Sequence, residues 1–211
     1  MSRWALTIEN TSESRVDADA SRERSPMHAP RLLMAFATFL LASSAVGQDV
    51  ASGPDQGKKV PALKVFDATG PHKDKEVDYA AERKEKPTIY IFIQAERWDR
   101  PMARFLRKLD DTLQKEDEAC QVVAVWLTDN PDKTKEYLPV AQQSLRFQKT
   151  ALTCFTGEKA GPKDWNINGD AHLTAVVTTK GKVAATFGYR SINETDAPAV
   201  QDAYKKALKD K

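Results

Sequence analysis

TIYIFIQAERWDRPM, residues 88–102, holds two patterns that meet at Asp99. Residues 88–95 are β-branched, aromatic and almost continuously apolar. A strand buried on both faces reads that way. After Asp99 the period changes. Met102, Phe105, Leu106, Leu109 and Leu113 recur at spacings of three and four, so they line one side of a helix that runs to about residue 118. Asp99 suits the N-cap, because its carboxylate can accept the free amide protons of the first turn. Pro101 falls within that turn, where a missing N–H costs little. A buried strand leading into a capped helix is the repeating unit of α/β sheets.

The same patterns extend outward. Upstream, residues 61–67 (PALKVFD) alternate and predict a first strand, followed by a turn at Thr69-Gly70-Pro71. Downstream, residues 121–127 (QVVAVWL) predict a second buried strand. Asn130-Pro131-Asp132 opens a helix carrying Tyr137 and Leu138, which Pro139 is expected to kink or split before Ala141 and Leu145. Residues 150–155 predict a short strand, and Gly161-Pro162 a turn or brief helix around Trp165. Residues 173–179 and 182–187 read as two strands of a hairpin joined at Lys180-Gly181. Thr195 is expected to cap a last helix with the stripe Val200, Ala203, Tyr204, Ala207 and Leu208. Buried strands alternating with helices, closed by a hairpin, predict an α/β fold with a mixed central sheet flanked by helices.

The chain of 211 residues is longer than that domain. Residues 1–26 are polar, charged and aperiodic, and read as a disordered leader. Residues 27–47 contain Arg31, an apolar run over 32–46, and small residues at Ala45 and Gly47. That is the layout of a secretory signal peptide. The run is short of the roughly 20 residues a bilayer span requires. Met27 is accordingly expected as the start of translation, with the product exported to the periplasm or secreted and no membrane attachment after cleavage. Residues 48–59 read as a linker, and 60–211 as the folded domain. A net charge of +2 excludes a nucleic-acid footprint. Two cysteines exclude a disulfide-dense scaffold and a multi-cysteine zinc site. No motif calls for a metal or a cofactor.

Three segments carry a family likeness. The opening GKKVPALKVFDATG, 57–70, has a Gly, a Pro, a short strand, an Asp and a Gly in sequence. The run Trp98, Asp99, Arg100, Pro101, Met102 follows a buried strand and opens a helix. The stretch HLTAVVTTKGKVAATFGY, 172–189, is a strand, a Gly and a second strand. Together they resemble the thioredoxin-like fold family, in the form of its exported thioredoxin and peroxiredoxin relatives. In that family the helix opens with Trp-Cys-x-Pro-Cys. Here the Trp and Pro are kept, and Asp99 and Met102 stand where the cysteines would be. The family's cis-proline position falls on His172. The resemblance implies a thioredoxin-like fold with a degenerate, redox-inactive site. It also implies a cleft able to hold an extended peptide or protein, with Trp98, Asp99, His172 and Trp165 as binding residues and Tyr189 beside them.

Other readings stay open at this stage. Cys120 precedes one buried strand and Cys154 ends another. If the strands run parallel, the thiols lie roughly 15–20 Å apart, whereas a disulfide needs Cα atoms within about 7 Å. A Cys120–Cys154 bridge is therefore not expected. A thiol oxidoreductase or peroxidase using either cysteine is one alternative. A non-redox enzyme using an Asp99–His172 pair, with Glu96 or Arg97, is another. Asn193-Glu194-Thr195 matches a glycosylation sequon. Nothing in the sequence sets the ligand or the oligomeric state.

Overall fold

The computed structural model describes residues 50–116 and 119–209. The expected leader and signal segment lie outside them. The elements are β1 (Lys64–Asp67), β2 (Lys75–Asp78), α1 (Tyr79–Arg83), β3 (Thr88–Gln94), α2 (Arg100–Leu113), β4 (Gln121–Leu127), α3 (Pro131–Leu145), β5 (Thr150–Cys154), β6 (Leu173–Thr179), β7 (Lys182–Tyr189) and α4 (Ala197–Lys209). Short 3-10 turns fall at Ala95–Arg97, Lys163–Trp165 and Glu194–Asp196.

One seven-stranded sheet runs in the order β2-β1-β5-β4-β3-β6-β7. β3, β4 and β5 are parallel, and β6 and β7 close the sheet antiparallel. All seven residues of β3 are buried. Its side chains alternate between two cores, as strand geometry requires. Ile89, Ile91 and Ile93 meet Met102 and Leu106 of α2, Leu138 of α3 and Val200 of α4. Tyr90 and Phe92 meet Leu63, Tyr79 and Trp165 on the other face.

α2 is tied to the sheet by a buried carboxylate. Asp110 accepts hydrogen bonds from the Lys149 amide (2.8 Å), the Gln148 amide (2.9 Å), the Thr150 hydroxyl (2.7 Å) and the Gln114 carboxamide (2.9 Å). A buried charge is tolerated only when it is satisfied in this way. It fixes the turn that leads into β5.

Several expectations are corrected. The edge strand β2 and helix α1 were not expected, because KEVD and YAAER are short and largely polar. α3 runs as one helix through Pro139, so the proline does not split it. Leu138 and Ala141 are buried on either side of the proline, and their packing outweighs the one hydrogen bond it removes. Asn193, not Thr195, caps the last helical stretch, in a reciprocal arrangement with Asp196. α2 ends at Leu113, before the expected residue 118.

Residues 50–59, expected as a linker, run along β7. The Gly57 amide donates to Val183 O (2.8 Å), the Val183 amide to Lys58 O (2.9 Å) and the Val50 amide to Gly188 O (3.3 Å). The Ser52 hydroxyl is buried against Thr174 (2.6 Å). Glycine and charged residues suit this path, because the segment bonds through its backbone. It covers part of a sheet edge that would otherwise be open.

Candidate functional site

The site lies where β3 gives way to α2. Asp99 has an extended backbone, and its carboxylate accepts the Met102 amide at 2.9 Å. The cap is therefore the one the sequence predicts, and a helix N-terminus favours the negative charge. Met102 is buried under the helix, in the core with Leu106 and Ile93. Arg100 points to solvent, and Pro101 sits in the first turn.

Trp98 forms the wall of a groove on one side of the Ala95–Arg97 turn. Its ring meets Trp126 edge to face, with centroids 5.0 Å apart. Its indole N–H donates to the Tyr137 hydroxyl at 2.9 Å. The groove has a volume of about 330 Å³ and an apolar floor that includes Leu127. On the rim, Lys159 bridges Glu96 and Asp129, the latter at 3.0 Å. Hydrogen bonds to Glu96 and then Asp129 hold the Lys159 ammonium above its ordinary range. Tyr137 and Val140, both on α3, are the exposed large hydrophobic residues of the described chain, at 43% and 60%.

A second cavity, of about 430 Å³, opens on the other side of the same turn. Gln94, Arg97, His172 and Arg190 line it, with Glu96 and Asp170. Strand pairing brings these residues together. The Gln94 amide donates to His172 O (3.0 Å), and the His172 amide donates to Tyr189 O (2.8 Å). The end of β3, the start of β6 and the end of β7 thus meet at one end of the sheet.

The structure brings Trp98, Asp99 and His172 to this end of the sheet, although Asp99 and His172 form no ion pair. Trp165 is elsewhere. It is fully buried on the opposite face, 5.0 Å from Tyr90 and 4.9 Å from Phe92 between ring centroids. Its N–H donates to Ala62 O, so it cannot serve as a binding surface here. Tyr189 is also buried, against Phe105. The three aromatics do not form one cluster. Sequence reasoning missed Gln94 and Arg190. Each is a single polar residue at a strand end, and only the strand order makes them neighbours.

Both cysteines are unbridged and buried. Cys154 pairs in register with Trp126, while Cys120 precedes Gln121 at the far end of β4. They therefore lie at opposite ends of the sheet, as the parallel arrangement predicts. Burial pushes the Cys154 thiol up to about 11, away from the thiolate that nucleophilic chemistry needs. Cys120 takes a hydrogen bond from the Tyr204 hydroxyl.

No family model and no curated protein matches the sequence. Solved structures match the fold. One is the peroxidoxin BcpB from Mycobacterium tuberculosis, at 13% identity and a TM-score of 0.54, covering 72% of this chain and 97% of that one. A thiol peroxidase from Chromobacterium violaceum matches at 10% identity and 0.53, covering 77% and 92%. An exposed lipoprotein thioredoxin from Streptococcus pneumoniae matches at 14% and 0.51, covering 69% and 99%. With its mixed sheet and flanking helices, the chain has a thioredoxin-like fold. Those neighbours are redox proteins by name. Among the described residues, no helix is long and apolar enough to cross a membrane.

Proposed function

We propose that this is an exported thioredoxin-like protein that has lost dithiol–disulfide chemistry and binds a protein or peptide where β3 gives way to α2. The observation that carries the reading is the Asp99 carboxylate capping α2 through the Met102 amide. In the fold family a helix start of this kind stabilises a thiolate. Asp99 meets the same electrostatic demand with a permanent charge and no sulfur. Met102 adds apolar packing where a resolving thiol would be. Burial of both cysteines, and the raised Cys154 thiol, speak against chemistry relocated to either one. The groove beside Trp98 and the exposed Tyr137 and Val140 supply apolar surface for a partner.

The test is dithiol-dependent reduction of insulin by the protein, compared with Cys120→Ser and Cys154→Ser. The expected result is no rate above background in all three. Activity that one serine variant abolishes would overturn the reading and assign the chemistry to that thiol.

A further inference from the structure

α2 carries a row of charge that its own stability does not ask for. Arg100, Arg104 and Arg107 recur at spacings of four and three, so they share one side of the helix. Like charges at those spacings repel one another. Arg100 also opens the helix, where the dipole disfavours a cation. The three side chains surround a depression of about 270 Å³, completed by Ala103 and Leu145. No carboxylate lines it.

The depression is part of a trough between two helices. Trp98, at the head of α2, donates to Tyr137 of α3. Leu145, at the far end of α3, meets the arginines. Arg107 lies over the Phe147 ring, 5.7 Å from its centroid. α2 and α3 thus run side by side, with the Trp98 groove at the head of the trough. Val140, three residues after Tyr137, lies on the same flank of α3.

Nearby acidic groups do not cancel the row. Among the described residues Glu194 alone comes within ion-pair distance of it, 3.7 Å from Arg104. Both side chains of that pair are exposed, so it contributes little. Asp99 is engaged in the helix cap. Asp110 is buried and satisfied by the β5 turn. Asp111 is exposed and forms no ion pair among the described residues, and Lys108 beside it adds a further exposed cation.

We propose that the trough between α2 and α3 docks an acidic segment of a partner protein. One apolar side chain of that segment enters the groove beside Trp98, and its carboxylates lie along Arg100, Arg104 and Arg107. Forked guanidinium donors match the two oxygens of a carboxylate. The apolar floor of Ala103 and Leu145 suits the methylenes of a peptide. Arg100 and Arg107 are roughly 10 Å apart along the helix axis, which an extended chain covers in about three residues. The proposal names the partner of the binding site inferred above and rests on that reading.

The test is an NMR titration of the ¹⁵N-labelled full chain with the peptide Leu-Glu-Ala-Glu-Glu, blocked at both ends, against Leu-Gln-Ala-Gln-Gln as the neutral control. The Trp98 indole N–H and the arginine Nε–H signals are expected to shift saturably with the acidic peptide and not with the neutral one. Arg104→Gln and Arg107→Gln should each weaken binding about threefold, and the double variant about tenfold. Arg100→Gln should also weaken binding yet melt no lower than the parent, because it removes a cation from the helix start. No saturable shift with the acidic peptide, or unchanged affinity in the double variant, would overturn the proposal. Equal binding of the neutral peptide, weakened by Val140→Ser, would overturn the acidic partner and leave the groove standing as a binding site. Tighter binding of a short single-stranded DNA through the same arginines would assign the row to nucleic acid and overturn it as well. Disulfide reduction in the insulin assay would sink the loss of redox chemistry and leave the arginine row standing.

Discussion

Cys154 shows how a single side chain sets a pH limit. In an unfolded chain its thiol titrates at about 8.5. In the fold, burial pushes it up to about 11. Above pH 8.5 the unfolded chain releases a proton that the native state keeps, so stability falls as pH rises between those values. The loss reaches about 1 kcal/mol by pH 9.5. Burial also raises Tyr79 and Tyr90, which add to the loss once unfolded tyrosine titrates, near pH 10. Urea midpoints measured at pH 7.5 and 9.5 should therefore fall in the parent and fall less in Cys154→Ala. An equal fall in both would mean the thiol is not what titrates.

At the scale of an element, the aspartate that caps α2 and the buried Asp110 within it contribute unequally. Asp99 caps an exposed helix end with one hydrogen bond, and Asp99→Ala should cost about 1 kcal/mol. Asp110 is fully buried and satisfies donors from three other residues of the β5 turn. Its removal strands those donors, so Asp110→Ala should cost about 3 kcal/mol or more. Chemical denaturation of the two variants side by side tests the order, and equal losses would refute it. The first aspartate was legible in the sequence, because a cap announces itself through the residues that follow. The second was not, since Asp110 lies on a charged stretch and its partners are some forty positions away. The same contrast holds for strands. β3 and β4 could be read to the residue or nearly so, because burial on both faces leaves an unbroken apolar run. β2 could not, because half of it faces solvent at the sheet edge. Trp165 was placed at the site by the family resemblance. Which face of the sheet it covers depends on the loop that carries it.

At the scale of the whole molecule, the N-terminal segment belongs to the fold. A Cβ on Gly188 would lie 2.2 Å from the Val50 carbonyl oxygen, too close for the segment to stay in place. Gly188→Ala is therefore expected to release residues 50–59 from β7, to speed hydrogen exchange at the Gly57 and Val183 amides, and to promote association through the uncovered edge. Unchanged exchange at those amides would show that the backbone adjusts instead. The sequence hid this pairing because a segment bonded through its backbone needs no apolar pattern. The cavity beside His172 was hidden for a related reason. Gln94, His172 and Arg190 are far apart along the chain and meet only because β6 lies between β3 and β7.

That strand order also governs how the molecule comes into being. β3 is flanked by β4, which follows it closely, and by β6, which arrives only after α3 and β5. One edge of the most apolar strand therefore waits for residues 173–179 to be made. Pairings between segments so distant are slow to form. A growing chain therefore spends most of its synthesis with its sheet unfinished.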